Sequence, residues 1–439
     1  MNDESAFALL AGQHREFVEG VSTAGGTAER QLATIAESEG MVGAWETLDP
    51  EHVRREARTA DEAEWPGRLG GIGIGVKDII ATEQLPTKVG SLIYADYVPE
   101  HDAACVARLR AAGAYVFGKT VTTPFAFMDP GKTRNPRNLE HTPGGSSSGS
   151  AAAVAAGHVI ATIGTQTNGS VIRPAAYCGV VGFKPTIGSI PVAGMHPFSP
   201  TLDTLGTFAK FVRDAALLAS ILADQGRIAG DVVAPTHRPR LAWLPRFPWI
   251  ESDAISQRIL NAALDRLRLS AEIVPIEIPE AWRKAKAMHR TIMMQEGFEV
   301  LGELQQRERA RLTPAVNAAI DEGRAIDIAD YREAFVERER AIAFFTGWLD
   351  EYDAVLSPAA PAMAPHGLDA TGDPSCCTLW SLLGFPALTL PAGLAAGMPI
   401  GLQLAAPQGR DDSLLAAGVW CEALIRFGCA DQLAYDAAS

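Results

Sequence analysis

The sequence predicts an α/β fold: one domain with a mixed central β-sheet, covered by helices and carrying a helical insertion. Three observations predict it. Short runs rich in Ile, Val and Gly alternate with amphipathic segments across residues 69–223. A charged, helix-patterned stretch over residues 250–350, without a glycine-rich loop, interrupts that alternation. Short apolar runs then return in residues 351–439, where they are placed to rejoin the same sheet. This order reads as a single domain with an insertion: a helical region 1–64, a core 65–225, a helical cover 250–350 and a return to the core.

Composition permits such a domain and excludes other classes. The chain has 439 residues, 47% hydrophobic and 21% charged, an ordinary globular balance with enough apolar surface for a large core. A net charge of −14 with no basic run argues against a nucleic-acid surface. Cys105, Cys178, Cys376, Cys377, Cys421 and Cys429 are scattered, and none shows C-x-x-C spacing. Neither a zinc site nor a disulfide framework is expected, so the thiols are read as reduced. The N-terminus is acidic rather than signal-like, and the most apolar segment, Ala151–Ile163, is too short to span a bilayer. A soluble, cytoplasmic protein without a membrane partner is the expectation, and a homodimer is left open.

Taken in order, residues 1–64 read as two or three amphipathic helices, one starting at Asp49-Pro50 because proline suits a first helical position. A turn at Trp65-Pro66-Gly67 leads to an apolar strand, Leu69–Ile80, with Lys77 near its end. Asp102–Ala112 reads as a helix stopped by Gly113, and Ala114–Phe117 as the following strand. A helix over Ser150–Ala156, strands at Val159–Ile163 and Val180–Phe183, and a helix at Asp214–Ala223 follow. Strands at Ala387–Leu390 and Ile400–Leu404 close the pattern.

The chemistry concentrates between Pro143 and Pro174, where two clusters of small residues, Gly144–Ser150 and Gly164–Ser170, flank an Ala-rich segment. Ordering so much glycine is entropically costly, so amide N–H groups and hydroxyls presented there are expected to be used. In GTQTNGS, successive N–H groups of a tight turn can form an oxyanion hole, with Ser170 at its end placed to attack. Lys77, at an apolar strand end beside Asp78, is either half of an ion pair or a desolvated amine able to act as a neutral base.

Two other motifs compete. Gly113–Thr120, GAYVFGKT, matches a phosphate-loop pattern, but Ala-Tyr-Val-Phe favours a strand over a flexible cradle. Gly145–Gly149, GSSSG, fits a nucleophile elbow centred on Ser147, with Asp353 and His366 as downstream partners, but no apolar strand precedes it. In the helical stretch, Trp282, His289, Met293, Met294 and Phe298 read as core, and His289 as structural. Trp380, beside an apolar run, is a candidate pocket residue.

Together these segments resemble the amidase signature family over residues 69–415, most densely in GIGVKDII, DAACVARLRAAGAYVFGKT, PGGSSSGSAAAVAAG and GTQTNGSVIRPAAYCGVVGFKPT. The resemblance implies hydrolysis of a small carboxamide without metal or cofactor. It implies that Lys77 is the base and Ser170 the nucleophile. Ser146 becomes the relaying serine, preceded by a cis peptide bond, and Thr167, Asn168, Gly169 and Ser170 supply the oxyanion hole.

The chain departs from the family's pattern at four places. Gln166 replaces an aspartate, Asn168 a glycine, Arg173 lies three rather than two residues after the nucleophile, and Pro124-Phe125 replaces a glutamate. Loss of the acid and displacement of the arginine suggest a broken charge pair. Phe125, Phe127 and Met128 are then expected to border an apolar acyl pocket. An aryl or alkyl amide, an anilide or a urea-like compound is the expected substrate. The alternative is the glutaminase subunit of a tRNA-dependent amidotransferase, which requires partner chains.

Overall fold

The computed structural model describes residues 9–64, 66–425 and 427; Trp65 of the expected turn, Cys429 and the first eight residues lie outside them. Its strands are β1 (Trp45–Thr47), β2 (Gly73–Lys77), β3 (Tyr115–Thr120), β4 (Ala161–Gln166), β5 (Val181–Lys184), β6 (Thr204–Ala209), β7 (Arg240–Trp243), β8 (Glu272–Pro275), β9 (Ala354–Pro358), β10 (Ala387–Ala395) and β11 (Met398–Ala405). All join one sheet in the order β1-β3-β2-β4-β6-β5-β10-β11-β9-β7-β8. The sheet is mixed: β3, β2 and β4 run parallel, as do β9, β7 and β8, while β4, β6, β5, β10 and β11 alternate in direction. The α/β class read from the sequence therefore holds.

Strand alternation explains the layering. On β4, Ala161 and Ile163 enter the main apolar core with Ile74 and Val76 of β2. The intervening Thr162 donates its hydroxyl to the carbonyl of Ser150, in the helix Ser148–Ala155 on the other face. That helix and Ile172–Cys178 pack together, and their small side chains allow close approach to the sheet. Gly149 shows the tolerance: a Cβ there would stand 2.2 Å from the Ala44 carbonyl oxygen. Helices Ala104–Ala111, Val212–Leu222, Ala254–Arg268 and Asp411–Ile425 form a second packed group against the sheet.

Several expectations are corrected. The N-terminal region holds β1 as well as three helices; one of those starts, as expected, at Pro50 with Asp49 as its cap. The stretch 250–350 is not purely a helical cover, because β8 lies within it and pairs in parallel with β7. Its β-branched Ile273 and Val274 suit a strand, and helix Ala254–Arg268 supplies the crossover that a parallel pair needs. GAYVFGKT is indeed strand rather than loop: Lys119 is buried, donating to the Ile80 carbonyl and the Thr87 hydroxyl, with Asp78 at 3.4 Å. Asp78 thus pairs with Lys119, and the adjacent Lys77 is left to other partners.

Candidate active site

The carboxyl ends of the parallel strands β2 and β4 bring the chemistry together, as open α/β sheets commonly do. Lys77 is the last residue of β2, and the 167–170 turn leaves the end of β4. The serine-rich loop arrives beside them at the start of helix Ser148–Ala155, and the Gly145–Ser146 peptide is cis.

The Lys77 amine donates to the Ser146 hydroxyl and to the Thr165 hydroxyl, each at 2.7 Å. Among the described residues no carboxylate lies within ion-pair distance of it. Burial pushes its pKa well below the usual lysine range, against the opposing pull of Asp203. Exposure rises from 0% at Lys77 to 1% at Ser146 and 9% at Ser170, so Ser170 is the hydroxyl nearest to solvent. Among the described residues, Ser170 makes no side-chain hydrogen bond to Ser146 or Lys77. Such contacts are often open until a substrate is bound.

The 167–170 turn is held from outside through its carbonyls and side chains. Thr167 gives its hydroxyl to Asp203, and its carbonyl faces Nε2 of His289 at 3.1 Å. Ser381 donates to the Asn168 carbonyl, and Thr378 to the Asn168 side-chain oxygen. Among the described residues, none of the N–H groups of Thr167, Asn168, Gly169 and Ser170 has a protein acceptor. A turn so arranged can offer several amide donors to one developing negative charge. A Cβ on Gly169 would stand 2.9 Å from Pro374, so no other residue fits there without displacing that segment. His289 is fully buried and pushed down to about 4 by burial, so it is neutral and supports the turn, as its structural reading expected.

The unusual residues have specific jobs. The Gln166 side-chain oxygen accepts the N–H groups of Val171 and Ile172 at 2.8 and 3.0 Å, and its amide donates to Ser381. It therefore ties the turn, the start of helix Ile172–Cys178 and Ser381 together without a charge. Among the described residues, Arg173 makes no hydrogen bond to Gln166. Its guanidinium donates to the carbonyls of Gly145 and Gly372 and to the Thr371 hydroxyl, clamping the residue that precedes Ser146. Gln166→Leu is expected to leave two buried N–H groups unpaired and to cost about 2–4 kcal/mol in denaturant unfolding. Gln166→Glu, which keeps an oxygen to accept both N–H groups, is expected to lose less.

The competing elbow does not assemble. Ser147 is buried, exchanging hydrogen bonds with the Thr165 carbonyl and N–H. Asp353 binds His237 and the Arg240 N–H, while His366 is an exposed residue beside His141. Of the expected pocket residues, Phe125 is buried against Tyr94 and His196, and Phe127 stacks on Phe198 at 4.9 Å. Their loop adjoins the site because the Thr123 N–H donates to the Ser146 carbonyl. Met128 is 50% exposed. Trp380 is 1% exposed and enclosed by Phe247 and Phe385, a core position; its neighbours Thr378 and Ser381 touch the turn instead. Asp203, Thr165, Thr378 and Ser381 carried no local sequence signal.

A buried amine with no ion-paired carboxylate among the described residues, a serine bonded to it and a donor-rich turn ending in a second serine fit a hydrolase acting on carbon–nitrogen bonds. The chain belongs to the Amidase family, whose model matches residues 27–415. It is 34% identical to the A-type subunit of a glutamyl-tRNA(Gln) amidotransferase from Roseiflexus sp. (strain RS-1), over 88% of this chain and 90% of that protein. Its fold is similar to a crystal structure of an amidase, with a TM-score of 0.87 and 30% identity over 95% of this chain and 100% of that one. It is also similar to the corresponding amidotransferase chain from Thermotoga maritima, with a TM-score of 0.73 and 28% identity over 89% of each chain. No helix among the described residues is long and apolar enough to cross a membrane.

Proposed function

We propose that this enzyme hydrolyses a small carboxamide through an acyl-enzyme on Ser170, with Lys77 as base and Ser146 as proton relay. The observation that carries the reading is the Lys77 amine, buried without a carboxylate partner and bonded at 2.7 Å to Ser146. Neutral Lys77 takes the Ser146 proton across that contact as Ser146 takes the Ser170 proton. The Ser170 oxygen attacks the amide carbonyl, and the N–H groups of residues 167–170 receive the negative charge. The relay then returns the proton to the departing nitrogen, the C–N bond breaks, and water hydrolyses the ester left on Ser170. Half-buried Phe127, on the loop that the Thr123 N–H ties to the Ser146 carbonyl, supports an apolar or aromatic acyl group, whereas Phe125 is a core position.

The second reading, a glutaminase subunit of a tRNA-dependent amidotransferase, has specific support. Relatives at about one-third identity across most of the chain bear the amidotransferase name, and on this point they favour it over a stand-alone amidase. The chemistry at Ser170 is the same in both, because glutamine is itself a carboxamide. An amide panel containing glutamine, anilides and ureido compounds, with Ser170→Ala as the blank, tests the first reading. Turnover of an aryl or alkyl amide by the chain alone supports it. Glutamine hydrolysis that appears only with partner chains and tRNA establishes the second. The mass of the chain alone in solution distinguishes a monomer from the homodimer left open.

A further inference from the structure

We propose that Asp203 is a positioning residue that holds the 167–170 turn in place and, by its charge, sets the pH at which Lys77 becomes the working base. This rests on the function proposed above. Asp203 immediately precedes β6, whose Thr204 stands opposite Gln166 in the antiparallel β4–β6 pair. That register brings its carboxyl beside Thr167. One oxygen accepts the Thr167 hydroxyl at 2.5 Å, and the other accepts the N–H groups of Phe198 and Ser199 at 2.8 and 3.1 Å. Asp203 is 5% exposed, and among the described residues no lysine, arginine or histidine lies within ion-pair distance of its carboxyl.

Lys77 holds Thr165 and Asp203 holds Thr167. The amine and the carboxyl thus hold residues two positions apart on one segment, and the Asp203 charge acts on Lys77.

The surrounding charges are engaged elsewhere. Asp78 on β2 faces Lys119 on β3. On helix Ala285–Glu308, His289 faces the Thr167 carbonyl, and Glu296 binds Ser199, Thr201 and Tyr331. Arg338 on helix Ile328–Trp348 donates to the Leu382 carbonyl, and Arg173 to the serine loop. Burial raises Asp203 to about 6, the Thr167 hydroxyl and two N–H groups pull it down, and Glu296 adds to the rise.

An ionised Asp203 favours the protonated amine and so raises the pKa of Lys77. Removing that charge moves the acid limb of activity to lower pH, by about one unit. Removing only the hydroxyl link loosens the turn and leaves the carboxyl itself in place.

The test is the rate at which a fluorophosphonate labels Ser170 across the pH range, in the full-length wild type, Asp203→Asn and Thr167→Val. Asp203→Asn is expected to shift the midpoint downward. Thr167→Val is expected to lower the plateau about tenfold or more. A wild-type adduct that maps to another residue overturns the function proposed above, before either variant is considered. With the adduct on Ser170, an unmoved midpoint in Asp203→Asn overturns the electrostatic role. A wild-type plateau in Thr167→Val overturns the positioning role, and this variant decides that point even where Asp203→Asn does not fold.

Discussion

Ser170→Ala is expected to abolish both amide turnover and fluorophosphonate labelling while leaving the fold intact. The side chain makes no hydrogen bond among the described residues, and its Cβ survives the change, so little stability is at stake. The loss in kcat is expected to be about 10⁴-fold or more, because the oxyanion donors alone sustain only a small residual rate. Thermal unfolding near the wild-type temperature separates lost chemistry from lost structure. Ser147→Ala is the matched control. Its hydroxyl bridges the Thr165 carbonyl and N–H, so its removal is expected to cost about 1 kcal/mol of stability with labelling retained. An adduct mapped to Ser147 would reinstate the elbow and sink the assignment of Ser170.

What the sequence disclosed and what it hid divide along one physical line. Strand β2 and the turn after β4 were legible because their signals are local: an apolar Ile-Val-Gly run ending in lysine, and Asn-Gly before a serine. The supports of that turn were not legible. Asp203 reaches Thr167 across 36 positions of sequence, Lys77 reaches Thr165 across 88, and Gln166 reaches Ser381 across 215. Each is a contact that only the closed sheet creates, and no periodicity within a window anticipates it. Gln166 shows the limit most directly. In the sequence it is only a missing acid, whereas in place it is a neutral bridge to Val171, Ile172 and Ser381. Strand β8 was hidden for a simpler reason: four residues flanked by charged helices give too short a run to stand out.

Lys77→Met is expected to remove activity and yet, toward neutral pH, to raise stability by an amount that grows as the pH falls. Methionine matches the length of the lysine stem but cannot accept the Ser146 proton, so turnover and labelling of Ser170 are expected to fall at least 10³-fold, a loss within the range of positioned proton-transfer groups. The stability effect follows from linkage. Burial depresses the pKa of the folded amine well below 10.5, so between that depressed value and 10.5 the unfolded chain binds a proton that the folded chain does not. Within this window wild-type stability falls with falling pH, by about 1.4 kcal/mol per unit at most. The methionine variant lacks the titration and escapes that loss. It gives up the two hydrogen bonds to Ser146 and Thr165, a cost of about 1–3 kcal/mol that does not depend on pH. Near pH 10 the hydrogen-bond loss dominates, and the variant is expected to be the less stable protein; toward pH 7 the order is expected to reverse. Denaturant unfolding at the two pH values measures the crossing. A difference that stays constant with pH would mean that Lys77 is protonated in the folded protein, and a protonated Lys77 cannot be the base.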